Sequence, residues 1–189
     1  MKMTRLSVRF YVFLVFTAVI VWCFSSCSGG DQKPDQQKGY QLAKKANTTD
    51  NFLSYTAALT KLPLSKFDNL GIVPTNKAFA DKLPISMYKG EAVGHDSIIV
   101  HPYKIGEVAH IKAAIRLLVA QSITDSLTIG DFTRYFGDIK KEKPLIGNTE
   151  TPLPVEITVD ANTALKLTFN SNKKLALAHV TMVEVLKYR

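Results

Sequence analysis

Both cysteines of this 189-residue chain, Cys23 and Cys27, lie within its first 27 positions. Everything after Cys27 therefore has to fold without a disulfide, a thiolate metal ligand or a cysteine nucleophile, and must be held by packing alone. The residues ahead of Cys27 have a different character. Lys2, Arg5 and Arg9 lead into an apolar run from Phe10 to Phe24, which Ser25-Ser26-Cys27 closes. As a helix that run would reach roughly 22 Å, short of the ~30 Å hydrocarbon core of a bilayer. It reads as a targeting segment over residues 1–26 rather than as part of the fold.

Small residues directly before a cysteine resemble a bacterial lipobox, although Phe24 stands where leucine is usual. The resemblance implies that Cys27 receives a diacylglyceryl thioether and becomes the first residue after cleavage, with the membrane as a partner through that lipid. Two other readings are a plain secretory signal cut near Ser26 and an uncleaved anchor over Val8–Cys23. From Ser28 to Gly39 no aliphatic or aromatic side chain occurs, so residues 27–46 are expected to form a flexible tether. Removal of residues 1–26 takes away Lys2, Arg5 and Arg9 and no acid, so the formal charge falls from +8 to +5. The lysine pairs Lys44-Lys45, Lys140-Lys141 and Lys173-Lys174 are dispersed and no basic stripe is interleaved with aromatics, so no nucleic-acid partner is expected.

Residues 47–189 have the size of one domain. Thr48-Thr49-Asp50 offers cap oxygens to a helix carrying Phe52, Tyr55, Leu59 and Leu62 on one stripe, ended by Pro63. Leu70-Gly71-Ile72-Val73 reads as a short strand, after which Thr75 is placed to cap a helix with Ala78 and Phe79. Ser97–Tyr103 reads as a strand whose Pro102 puts it at an edge or an end. Val108, Ile111, Ile115 and Leu118 fall at helical spacing, with Lys112 and Arg116 opposite. Thr128-Ile129-Gly130-Asp131 is a capping box for a helix through Phe136, stopped by Gly137. Val155–Val159 and Leu165–Phe169 alternate as a hairpin around Asp160-Ala161-Asn162-Thr163, and Leu175–Leu186 suits a central buried strand. The sum is an α+β domain, with early helices packed on a sheet that ends in hairpin strands.

These landmarks, in this order, resemble the fasciclin (FAS1) family. Ile72-Val73-Pro74-Thr75-Asn76-Lys77-Ala78-Phe79-Ala80 is similar to its best-known block, Asn51–Leu59 to its opening helix, Ile111–Ser122 to its long helix, and Ala178-His179-Val180 through Leu186 to its closing strand. The resemblance makes Pro74, Thr75, Asn76 and Phe79 a structural signature. It also implies a non-catalytic interaction or adhesion module that binds a protein or a glycan. Val119-Ala120 stands where the family has tyrosine-histidine, a region linked to adhesion, and Asn172-Lys173-Lys174 replaces an asparagine-glycine turn. Cys27, Ser28 and Asp31 also resemble the tethers of Bacteroidota lipoproteins, which implies the outer membrane, at its periplasmic face or the cell surface. A carrier of an apolar ligand or polymer fragment is the alternative function.

His95, His101, His110 and His179 are the only imidazoles. Their spacings match no metal motif, so neither a metal nor a cofactor is expected. No Gly-x-Ser-x-Gly elbow or phosphate-cradling loop is present, and an enzyme is not expected. His179 is expected to be buried and bonded to neighbouring backbone.

Overall fold

A computed structural model describes residues 34–90, 96–104, 110–141, 152–170 and 174–188. The chain divides into two compact units, Met1–Tyr40 and Gln41–Arg189. Of the first, only a stretch of helix from Pro34 is described, and Cys27 lies outside the described residues. The second unit holds the elements that follow, apart from the start of the first helix.

Helix α1 spans Pro34–Thr60. It begins well ahead of the expected cap at Thr48-Thr49-Asp50 and inside the stretch expected to be a tether. Proline suits a first helical turn, and Gln36, Gln37, Gln41, Leu42, Ala43, Lys44, Lys45 and Ala46 are strong helix formers despite their lack of periodicity. Phe52, Tyr55 and Leu59 are fully buried along one stripe. The helix stops at Thr60, whose carbonyl accepts a 2.8 Å hydrogen bond from Lys187 Nζ; the same ammonium donates to Thr163 Oγ1 at 2.7 Å. A cation at the carbonyl end complements the helix dipole.

The expected strand at Leu70–Val73 is a turn instead. Asp68 Oδ1 accepts from the amides of Leu70 (3.1 Å) and Gly71 (2.7 Å), and helix α2, Val73–Phe79, starts at once. A carboxylate that captures two successive amides withdraws them from any sheet ladder. Pro74 then lies in the first turn of α2, and Ile72 occupies the cap position without a side-chain bond. The capping role expected of Thr75 is thereby corrected, because the helix begins before it.

Strands β1 (Ile85–Met87), β2 (Ile98–Lys104) and β3 (Ile111–Leu118) follow, then the one-turn helix α3 (Gln121–Thr124), helix α4 (Ile129–Phe136), and strands β4 (Ile139–Lys141), β5 (Val155–Asp160), β6 (Thr163–Phe169) and β7 (Val180–Tyr188). They make one mixed sheet in the order β1-β2-β3-β7-β6-β5-β4. Only the β1–β2 pairing is parallel.

Strand β3 corrects the helix expected over Val108–Leu118; Val108 itself is outside the described residues. Ala113, Ile115 and Leu117 share one face and are buried, while Ala114 on the other face is buried too. Burial on both faces blurs the two-residue period and lets a helical spacing fit by coincidence. Two later readings hold: β5 and β6 form the expected hairpin, and β7 is the central strand. Leu175–Leu177, however, is a 3₁₀ turn before it. The capping box at α4 is present, with Thr128 N and Thr128 Oγ1 both donating to Asp131 Oδ2 at 2.9 and 2.8 Å. Gly137 ends the helix at φ 106°, a conformation that favours glycine.

The core lies on one face of the sheet. There Val100, Ala113, Ile115, Leu117, Ile157, Leu165, Leu167, Val183 and Val185 pack with Phe52, Tyr55 and Leu59 of α1 and Phe132 of α4. Phe52 meets Phe132 edge-on at 6.5 Å. The opposite face, carrying the alternate residues of the same strands, holds the polar chemistry.

Candidate functional site on the sheet face away from the core

The signature residues of α2 are structural in their contacts. Tyr55 Oη donates to Asn76 Oδ1 at 2.7 Å, Asn76 Nδ2 reaches Met87 Sδ at 3.2 Å, and the Phe79 ring lies 5.4 Å from that of Tyr55. Asn76 therefore ties α1, α2 and β1 together, while Pro74 is exposed and Thr75 half-buried. Burial raises the Tyr55 phenol well above its ordinary pKa. In the unfolded chain that phenol ionises near pH ~10, so its contribution to stability is complete below that pH and falls away as the pH rises further. Tyr55→Phe is expected to cost about 1 kcal/mol at neutral pH and to flatten the loss of stability above pH ~10. Denaturation midpoints of both proteins across the alkaline range test this. Equal alkaline slopes would rule out Tyr55 as the titrating group.

Elsewhere polar side chains converge on one cluster. On the face away from the core, Tyr103 of β2, Arg116 of β3 and Glu184 of β7 meet across three adjacent strands. Tyr103 Oη donates to Glu184 Oε1 at 2.6 Å, Arg116 Nε donates to the same oxygen at 3.0 Å, and Arg116 Nη2 approaches Tyr103 Oη at 3.3 Å. The Arg116–Glu184 ion pair closes to 2.9 Å, and the guanidinium carbon sits 4.9 Å from the centre of the Tyr103 ring. Burial first, then the hydrogen bond and charge of Glu184, hold the Tyr103 phenol above its ordinary value, against the opposing pull of Arg116. Each group saturates another, so the cluster is built to stay fixed rather than to exchange protons.

His101 continues the cluster. Its ring lies 5.7 Å from Tyr103 and 4.6 Å from Tyr88, giving an aromatic row along β2 that ends at the 43 % exposed Tyr88. Beside it Ile99, Leu118 and Met182 stand in register across β2, β3 and β7, and Leu118 is 41 % exposed.

The remaining histidines do not join this face. His95 lies outside the described residues, and His110 is exposed at φ 58°, just before β3. His179 is half-buried rather than fully buried, and its Nδ1 has no hydrogen-bond partner among the described residues. Among the described residues no three His, Cys, Asp or Glu side chains gather where a metal could sit. Val119 and Ala120 form the turn from β3 into α3, where Val119 N donates to Thr181 O.

Sequence reasoning misses the Tyr103–Arg116–Glu184 cluster because its members are 13, 68 and 81 residues apart pairwise and the spacing around Arg116 fits a helix. One signal was available. A lone acid within the apolar run of β7 demands a partner, since an unpaired buried carboxylate is costly.

No protein-family model matches this chain, and no curated protein or solved structure matches it significantly.

Proposed function

We propose that the chain is a lipid-anchored, fasciclin-like interaction module of the cell envelope, held to the membrane through Cys27 and acting by binding a protein or a glycan rather than by catalysis. The observation that carries the interaction reading is the stretch of this sheet face beside β1, β2 and β3, where Tyr88, His101, Arg116 and Leu118 are partly exposed next to a rigid, mutually saturated ion-pair cluster. Tyrosine and arginine are the side chains that binding surfaces favour, because each brings apolar area and hydrogen-bonding capacity at small conformational cost. The space between α1 and the sheet is filled by Phe52, Tyr55, Leu59 and Ile115, which favours a surface over an interior ligand and so favours this reading over a carrier.

Family likeness is supported by the Pro74-Thr75-Asn76-Lys77-Ala78-Phe79 helix, the late hairpin and the closing central strand. One landmark runs otherwise: the segment likened to the family's long helix is β3 followed by α3. Anchoring rests on Phe10–Phe24 followed by Ser25-Ser26-Cys27.

Cys27→Ser is expected to move the protein from the membrane pellet to the soluble envelope fraction in detergent-free fractionation. Retention in the pellet would replace the lipid with an uncleaved anchor. Protease shaving of intact cells, with a periplasmic protein as the protected control, then separates surface display from the periplasmic face.

A further inference from the structure

Three neighbouring strands give one part of the sheet a single sign of charge. Strands β1, β2 and β3 carry Lys104, Lys112 and Arg116 and no acid, and both lysines are exposed. The acid of the adjoining strand β7, Glu184, is buried and already holds Tyr103 and Arg116. Arg116 is only partly used by that partnership. Its Nε and Nη2 are bonded to Glu184 and Tyr103, whereas among the described residues no acceptor is bonded to Nη1, and 40 % of the side chain is exposed. The planar fork is thus pinned on one edge and open on the other, which suits a carboxylate arriving from solvent. Directly opposite Arg116 on β2 stands His101, whose ring lies 4.6 Å from that of the exposed Tyr88. Cross-strand neighbours are about 5 Å apart at Cβ, so two rings in contact form a floor beside the open edge of the guanidinium.

We propose, building on the interaction reading above, that this part of the face binds an acidic glycan, with a pyranose ring lying on Tyr88 and His101 and its carboxylate on the open edge of Arg116. A sugar ring presents an apolar C–H face to an aromatic floor, and hydroxyls at its rim that the Tyr88 hydroxyl and a His101 nitrogen can meet. In a uronate the carboxylate stands at the edge of the ring, as the guanidinium stands at the edge of the floor. A neutral glycan leaves the excess of cations unanswered. An acidic peptide fits less well: the amides and carbonyls of a strand inside a sheet are already paired, so the face offers an extended chain no main-chain partners. The Arg116–Glu184 pair is neutral in sum. Attraction for a carboxylate therefore comes from the outward positive edge of that pair and from the two lysines, and is screened by salt.

The test is binding of the full chain, in neutral detergent micelles at about 0.05 M salt, to three soluble uronate polymers: polygalacturonate, alginate and hyaluronan. Isothermal titration calorimetry reads the affinity. Binding of at least one is expected, about tenfold weaker for its methyl ester and absent for polyglutamate. Tyr88→Ala is expected to weaken it about fivefold. Arg116→Lys is expected to abolish the preference for acid over ester, since an ammonium drawn to Glu184 has no second edge to offer. Tyr135→Ala, on α4, is expected to bind as the parent does. No binding to any of the three polymers would overturn the proposal, as would equal binding of acid and ester, equal binding of polyglutamate, or parental affinity in Tyr88→Ala. Circular dichroism checks folding; should Arg116→Lys unfold, the ester and Tyr88→Ala decide. A photoreactive residue in place of Tyr88 distinguishes the ligand from the surface. If no glycan binds but a protein is captured in intact cells, the acidic glycan alone is overturned; if neither occurs, the interaction surface falls with it.

Discussion

Gly71→Ala is expected to cost about 3 kcal/mol and to lower the thermal midpoint by about 6–12 °C. A Cβ built at this position meets Lys66 O at 2.4 Å, Lys66 Cα at 2.5 Å and Lys66 C at 2.7 Å. All three are backbone atoms, so no side chain can swing aside to make room. The close approach exists because the turn over Asp68–Ile72 folds back tightly on the 3₁₀ turn Leu64–Lys66. Asp68 holds that turn from within through the Leu70 and Gly71 amides. What must give way is the connection between α1 and α2, and with it Ile72, which is fully buried. Thermal and urea denaturation of the variant check the magnitude. A midpoint within about 2 °C of the parent would mean that the turn relaxes at little cost.

The second large effect is expected at Glu184. Its carboxylate, on a residue only 8 % exposed, accepts from both Tyr103 and Arg116, so Glu184→Ala leaves a phenol and a guanidinium without their acceptor. Breaking a buried charge pair by deleting one partner costs about 3–5 kcal/mol. Here the Arg116 side chain is 40 % exposed and rehydrates in part, which brings the expected loss to about 2–3 kcal/mol. Glu184→Gln keeps an acceptor for the phenol and is expected to lose roughly half of that. Denaturation of both variants, with Arg116→Ala and the double variant to complete the cycle, separates the pair from its surroundings. A Glu184→Ala protein as stable as the parent would show that the cluster is ornamental to folding.

How much of this was legible in the sequence depends on what each element hides. The capping box at Thr128 and Asp131, the β5–β6 hairpin and the Gly137 stop are set by local chemistry, and local chemistry is readable. Strand β3 is hidden from a local reading because it has buried residues on both faces, Ala113, Ile115 and Leu117 on one and Ala114 on the other, and Val108, Ile111, Ile115 and Leu118 also fit helical spacing. The turn at Asp68 is hidden for a related reason: Leu70-Gly71-Ile72-Val73 is apolar, and only the position of the Asp68 carboxylate shows that the Leu70 and Gly71 amides are already taken. The Tyr103–Arg116–Glu184 cluster depends on the register of the β2–β3 and β3–β7 pairings, which local patterns do not carry. Glu184 was the one visible clue, as an acid within an apolar run.

Each outer strand of the sheet, β1 and β4, is three residues long. Pro84, directly before β1, has no amide to offer a newcomer, and β4 carries Lys140 and Lys141. Short, proline-bounded or lysine-bearing borders are poor templates for a foreign strand. Chains crowded together on a two-dimensional support meet one another at far higher density than in free solution, where an unguarded border would seed cross-β growth. Crowding of this protein should therefore leave it free of fibrillar aggregates.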